Sequence, residues 1–160
     1  MKRLVLVAAL ALASPAQALT IFPDCTEMDE TIEAAMNKAM SYHLTYVLAV
    51  GAFRGAKVLS EQRGYDVGHY RRVTTTFSGK SASNRGFTNA IKVPVELEQA
   101  CLNTACTPRT DGTPYLVLML KDEQGYMVQL GEFGCTAPFF ERPSATMQRK
   151  AIQCLNAGAC

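Results

Sequence analysis

Apolar positions recur first at helical spacing and afterwards at every second residue. Met28, Ile32, Ala35, Met36, Ala39 and Met40 return every three or four positions, the period of one helix face. Thr26-Glu27-Met28-Asp29 has the arrangement of a capping box, so the pattern predicts one amphipathic helix over Thr26 to Met40. From Thr45 the pattern turns to β. Thr45 to Phe53 is rich in β-branched and aromatic residues, with Gly51 read as a bulge or bend. Gly55 to Gly68 is polar and reads as a connecting loop. Tyr70 to Phe77 alternates, placing Val73, Thr75 and Phe77 on one face and Arg72, Thr74 and Thr76 on the other, the signature of a half-buried strand. Ser78 to Gly86 reads as a loop. Ile91, Val93, Val95 and Leu97 alternate again, and Pro94 among them predicts an edge strand or a bulge because it cannot donate to a ladder. Tyr115 to Leu120 and Tyr126 to Phe133 form a last strand pair, joined through Lys121 to Gly125 by a hairpin turn. Pro143-Ser144 opens a terminal helix with Met147, Ala151, Cys154 and Leu155 on one face and Gly158 beyond its end. The count is about five strands with a helix at each end. There is no repeat, low-complexity tract or interdomain linker.

The first residues have a different logic. Lys2 and Arg3 precede an unbroken apolar run from Leu4 to Ala13, and Ser14-Pro15-Ala16-Gln17-Ala18 ends in the A-x-A pattern of a cleavable signal peptide. The run is about half the roughly 20 residues that cross a bilayer. Residues 1–18 are therefore expected to be removed after Ala18, and 19–160 to be one periplasmic or secreted domain without a membrane anchor. Of 16 Lys plus Arg the signal takes two and no acid, which leaves 14 basic against 14 acidic residues. A neutral chain is not built to neutralise phosphates, so nucleic acid is not an expected partner.

All six cysteines follow Ala18, and an even number in an exported chain reads as a disulfide framework. Cys101-x4-Cys106 and Cys154-x5-Cys160 are close enough for two local disulfides. Paired close cysteines also form four-thiolate zinc sites, but the usual zinc spacings are tighter. No C-x-x-C redox pair is present.

Five short strands flanked by helices suit a disulfide-stapled all-β fold, a small Greek-key barrel of the oligonucleotide/oligosaccharide-binding (OB) type; a sandwich fits the pattern too. Over Cys25 to about Cys154 the chain resembles the netrin-like module, the fold of the inhibitory domain of tissue inhibitors of metalloproteinases. The matching pieces are an N-terminal Cys leading into a short helix, then Tyr46 to Phe53, Tyr70 to Lys80 closing on Gly79, and Gly112 to Leu118. A hairpin into Gly134-Cys135-Thr136-Ala137-Pro138 and a terminal helix follow. The resemblance implies a Cys25–Cys135 disulfide and a partner-docking ridge ahead of it, here Leu19, Thr20, Ile21, Phe22, Pro23 and Asp24. The inhibitors' mature N-terminal C-x-C pair, which binds the target's zinc, has no counterpart in this chain.

Catalytic signals are weak. The two histidines, His43 and His69, lack a G-x-S-x-G nucleophile elbow. His43 reads as a packed or capping residue and His69 as a loop-edge surface residue. Gly79-Lys80-Ser81 echoes the end of a phosphate-binding loop, but Thr74 stands where its first glycine is required. Glu96 with Glu98 beside Lys92 reads as a solvated strand face, Asp122 with Glu123 as a turn, Arg71-Arg72 as a surface feature, and the methionine stripe as core packing rather than a copper face. The sequence thus describes an exported, non-enzymatic binding module without a cofactor or metal, inhibitor-like or acting in the envelope, whose partner is another protein. The alternatives are a small envelope hydrolase using His43 or His69 and a metal-binding module using the close cysteine pairs.

Overall fold

A computed structural model describes residues 31–63, 68–130 and 136–160. The signal peptide, the Leu19 to Asp24 segment, Cys25 and Cys135 lie outside the described residues. The chain is mostly β, with one helix near each end: α1 (Ile32–Ser41), β1 (Tyr46–Arg63), β2 (Gly68–Ser83), β3 (Gly86–Leu102), β4 (Ala105–Thr107), β5 (Asp111–Lys121), β6 (Tyr126–Val128), β7 (Phe139–Glu141) and α2 (Ala145–Ala157).

The three long strands are consecutive antiparallel neighbours, β1 with β2 and β2 with β3. β5 returns to pair antiparallel with β1, from Tyr46 opposite Leu120 to Arg54 opposite Asp111. β6 then joins β3 in parallel and β5 in antiparallel. Each of β1, β2, β3, β5 and β6 therefore has at least two strand neighbours. The short β4 adds to β3, and β7 adds to β5.

Two apolar layers follow from strand alternation. Phe53, Val73, Phe77, Val95, Leu97, Tyr115, Val117 and Met119 form the inner cluster. Phe53 packs on Phe77 at 5.1 Å between ring centroids, and Tyr115 meets Phe139 edge-on at 5.9 Å, both inside the range where aromatic pairs attract. Leu48, Leu116 and Leu118 face the opposite way and are covered by Ile32, Met36 and Ala39 of α1 and Ala151 and Cys154 of α2. With a layer on each side, Tyr115 to Met119 are buried without interruption. Met36, at 2 % exposure, is core.

Several expectations are corrected. α1 begins at Ile32 with Thr31 as its N-cap, accepting from the Ala34 N–H, so the helix starts later than the Thr26 capping box predicts. Gly55 to Arg63 is strand rather than loop, since β1 runs on to Arg63, and β2 starts at Gly68. Polar residues mislead there because the strand is exposed on both faces. Ser78 to Ser83 likewise belongs to β2. Gly51 is no bulge, since its register against Gly79 is regular; it is required by close approach, because a Cβ on it would overlap the backbone of Ser78 and Gly79. One bulge lies at Gly55, whose φ of 65° coincides with a register shift between Arg54 and Ala56, a left-handed geometry that glycine adopts freely; a second register shift falls between Val58 and Ser60. Pro94 lies within β3 opposite Thr76, one residue before the parallel pairing with β6 begins. The hairpin into Tyr126 forms as expected, with the Asp122 carboxylate accepting from Gln124 and Gly125. α2 is capped by Ser144 and closed by Gly158, but Leu155 is exposed instead of buried.

Candidate functional site

The chemistry gathers where β1, β2 and β3 extend past their pairing with β5 and β6. Alternation dictates which side chains face inward here. Arg71 continues the inward series Val73, Thr75 and Phe77, and Gln99 continues Val95 and Leu97. Both are therefore polar residues in core register. Gln99 is buried, at 1 % exposure, and both ends of its amide are engaged. Its Nε2 donates to the Pro108 carbonyl, and its Oε1 accepts from Arg71 Nε at 2.8 Å. Burying an amide requires such partners.

The β4–β5 connection completes the end. The buried Tyr115 hydroxyl accepts from the Arg109 N–H at 3.0 Å and donates to Glu141 Oε2 at 3.3 Å. Burial, reinforced by the Glu141 carboxylate, pushes the Tyr115 phenol above its ordinary value. Asp111 accepts from both the hydroxyl and the N–H of Thr113. Those bonds, aided by the Arg109 charge, hold its carboxyl below the usual range. Arg71, Gln99, Thr104, Arg109, Thr110 and Asp111 line an open groove of about 370 Å³.

Arg71 and Arg72 divide, because adjacent strand residues face opposite ways. Arg72 points outward and binds Glu96 at 3.1 Å and Glu98 at 3.4 Å. Glu98 also accepts from the Leu130 N–H. The Glu96–Glu98 pair is thus a salt-bridged strand face rather than an acid–base pair. Arg71 is turned to the groove instead.

Beside the groove, His69, Cys101 and Cys106 stand in one row across β2, β3 and β4, with their ligand atoms within 4.8 Å of one another. The two sulfurs are bonded to each other, so neither is a thiolate ligand in this form. Cys154 and Cys160 form a second disulfide. Among the described residues no cysteine is free, which agrees with a non-reducing compartment. His69 belongs to β2, not to a loop edge, and its Nε2 lies 3.5 Å from Glu61. His43 is exposed rather than packed. The structure does not bring the two histidines together with a nucleophile: among the described residues neither hydrogen-bonds to a serine or a free thiol.

The outer edge of this end is β1. Its pairing with β5 stops at Arg54, so from Ala56 onward β2 alone pairs with it among the described residues. Arg54 to Gln62 are all exposed. Val58 and Leu59 are each 48 % exposed, and Leu102 on β3 is 57 % exposed. Among the described residues no helix is long and apolar enough to cross a membrane. No family model, curated protein or solved structure matches this chain.

Proposed function

We propose that this chain is an exported, disulfide-bonded binding module of the netrin-like type, an inhibitor-like or envelope-interaction protein that engages a protein partner along the outer edge of β1 and performs no catalysis. The spatial order β5-β1-β2-β3 supports a Greek key, in which a fourth strand returns beside the first of three hairpin-connected strands. The further pairing of β6 with both β3 and β5 supports the small OB-type barrel.

The observation that carries the reading is the edge of β1, which is free among the described residues. A strand with unpaired N–H and C=O groups is a template for an added strand, and Val58 and Leu59 expose apolar surface there. The resemblance supplies a second contact, the Leu19 to Asp24 segment ahead of Cys25.

The test is a double change, Val58→Asp with Leu59→Asp. Both residues are exposed, so stability should hold within about 0.5 kcal/mol, while chemical cross-linking to the partner in the native envelope is lost. Unchanged cross-linking would overturn the assignment of the edge.

A further inference from the structure

The groove holds a feature that partner binding along β1 does not use. Arg71 and Arg109 border one cavity; a buried amide holds the Arg71 guanidinium, and a buried phenol holds the Arg109 backbone. Gln99 pins Arg71 through its Nε and pins the preceding turn of the Arg109 loop through the Pro108 carbonyl. The Tyr115 hydroxyl pins the Arg109 backbone. Ordering a long arginine is entropically costly, and Gln99 does it for Arg71.

The charge left over is specific. Arg72, next in sequence, is neutralised by two glutamates. Among the described residues neither Arg71 nor Arg109 has a carboxylate within ion-pair distance. Asp111 is the acid that lines the groove, and its Oδ1 is taken by Thr113. The Arg54 guanidinium lies where a Cβ on Gly112 would stand, outside the residues that line the groove. Two arginines and one acid therefore line the groove, together with Thr104 and Thr110.

We infer that this groove binds a small hydroxylated ligand through an oxyanion, which Arg71 and Arg109 clamp while Asp111, Thr104 and Thr110 take its hydroxyls. Guanidinium groups bind carboxylate and phosphate oxygens in charge-assisted pairs, roughly twice as strong as neutral hydrogen bonds. A volume of about 370 Å³ falls at the small end of ligand sites, which begin near about 300 Å³, and suits a molecule the size of one sugar acid or sugar phosphate. The site is independent of the β1 edge: Val58 and Leu59 do not line it, and its failure would leave the partner reading intact.

The test uses the disulfide-bonded protein and three probes, glucuronate, glucose 6-phosphate and glucose, followed by NMR of the arginine Nε–H signals. Saturable movement of the Arg71 signal with an anionic probe, and none with glucose, is expected. The tighter of the two anions tells a carboxylate source from a phosphate ester. Arg71→Ala and Arg109→Ala should each weaken binding at least about tenfold, the loss of about 1.4 kcal/mol, whereas Arg72→Ala should leave it unchanged. Both altered arginines are at least partly exposed, and a retained NMR spectrum establishes that they fold. Equal response to glucose, equal binding by Arg71→Ala, or no saturable response to either anion would each overturn the assignment.

Discussion

Arg71 Nε donates to Gln99 Oε1 across 2.8 Å, so an arginine in the inward register of β2 is held by an amide buried in the inward register of β3. The same amide binds the Pro108 carbonyl. One side chain thereby couples the core to both the β2 arginine and the loop that carries Arg109. Replacing Gln99 by Leu removes both bonds and leaves the Pro108 carbonyl without its partner. The expected loss is about 1–3 kcal/mol, read from urea denaturation. Loss of less than about 0.5 kcal/mol would mean that water replaces the amide.

Gly51 and Gly79 face each other across β1 and β2, and a Cβ on either would overlap the other's backbone. Backbone cannot move aside as a side chain tip can. Gly79→Ala is therefore expected to destabilise the chain by at least about 1–3 kcal/mol, the usual cost of overpacking, although alanine suits strands no worse than glycine. Thermal unfolding of Gly79→Ala beside Ser78→Ala, at the exposed neighbouring position, tests this, and equal midpoints would contradict it.

Cys101–Cys106 and Cys154–Cys160 span 5 and 6 residues. Loops of this size are each worth about 2 kcal/mol in the chain-entropy model. The resemblance pairs Cys25 with Cys135, which closes a loop on the order of 100 residues worth about 4–5 kcal/mol. Non-reducing peptide mapping should recover all three links, and Cys25→Ser should destabilise more than Cys106→Ser. A Cys25–Cys101 peptide would contradict the assignment.

Alkaline pH should weaken the fold through Tyr115. Its phenol is raised above the ordinary 10.0, first by burial and then by Glu141. A raised folded value means that the native state holds the proton more tightly than the unfolded chain. The associated stability is complete below about pH 10 and is lost as pH climbs through the folded value. Tyr115→Phe should be less stable near neutrality and should lose this part of the alkaline decline, measured as urea midpoint against pH. A parallel decline in both proteins would place its source elsewhere.

Much of this was legible in the alternation of residues. Val73, Thr75 and Phe77 are inward as read, and the same period, carried two positions further, places Arg71 inward and Gln99 after Leu97. The signal for the groove was a polar residue standing in apolar register, and it is missed when Arg71-Arg72 is taken as a single surface pair. No sequence pattern ties Arg109 to Tyr115, because the bond joins a backbone N–H to a phenol buried six residues further on. The extension of β1 to Arg63 was hidden for a different reason: a strand exposed on both faces has no core face to alternate against. Thr31 as N-cap was masked by the stronger capping-box pattern at Thr26.

The central claim is that the free edge of β1 meets a protein partner. A photo-cross-linking amino acid placed at Leu59, and separately at Glu33 on α1, tests it in the native envelope. Glu33 lies on the helical side, where it pairs with Lys150 of α2 at 3.4 Å. The account predicts one discrete protein adduct from position 59 and none from position 33. A discrete adduct from position 33 with position 59 silent would contradict it.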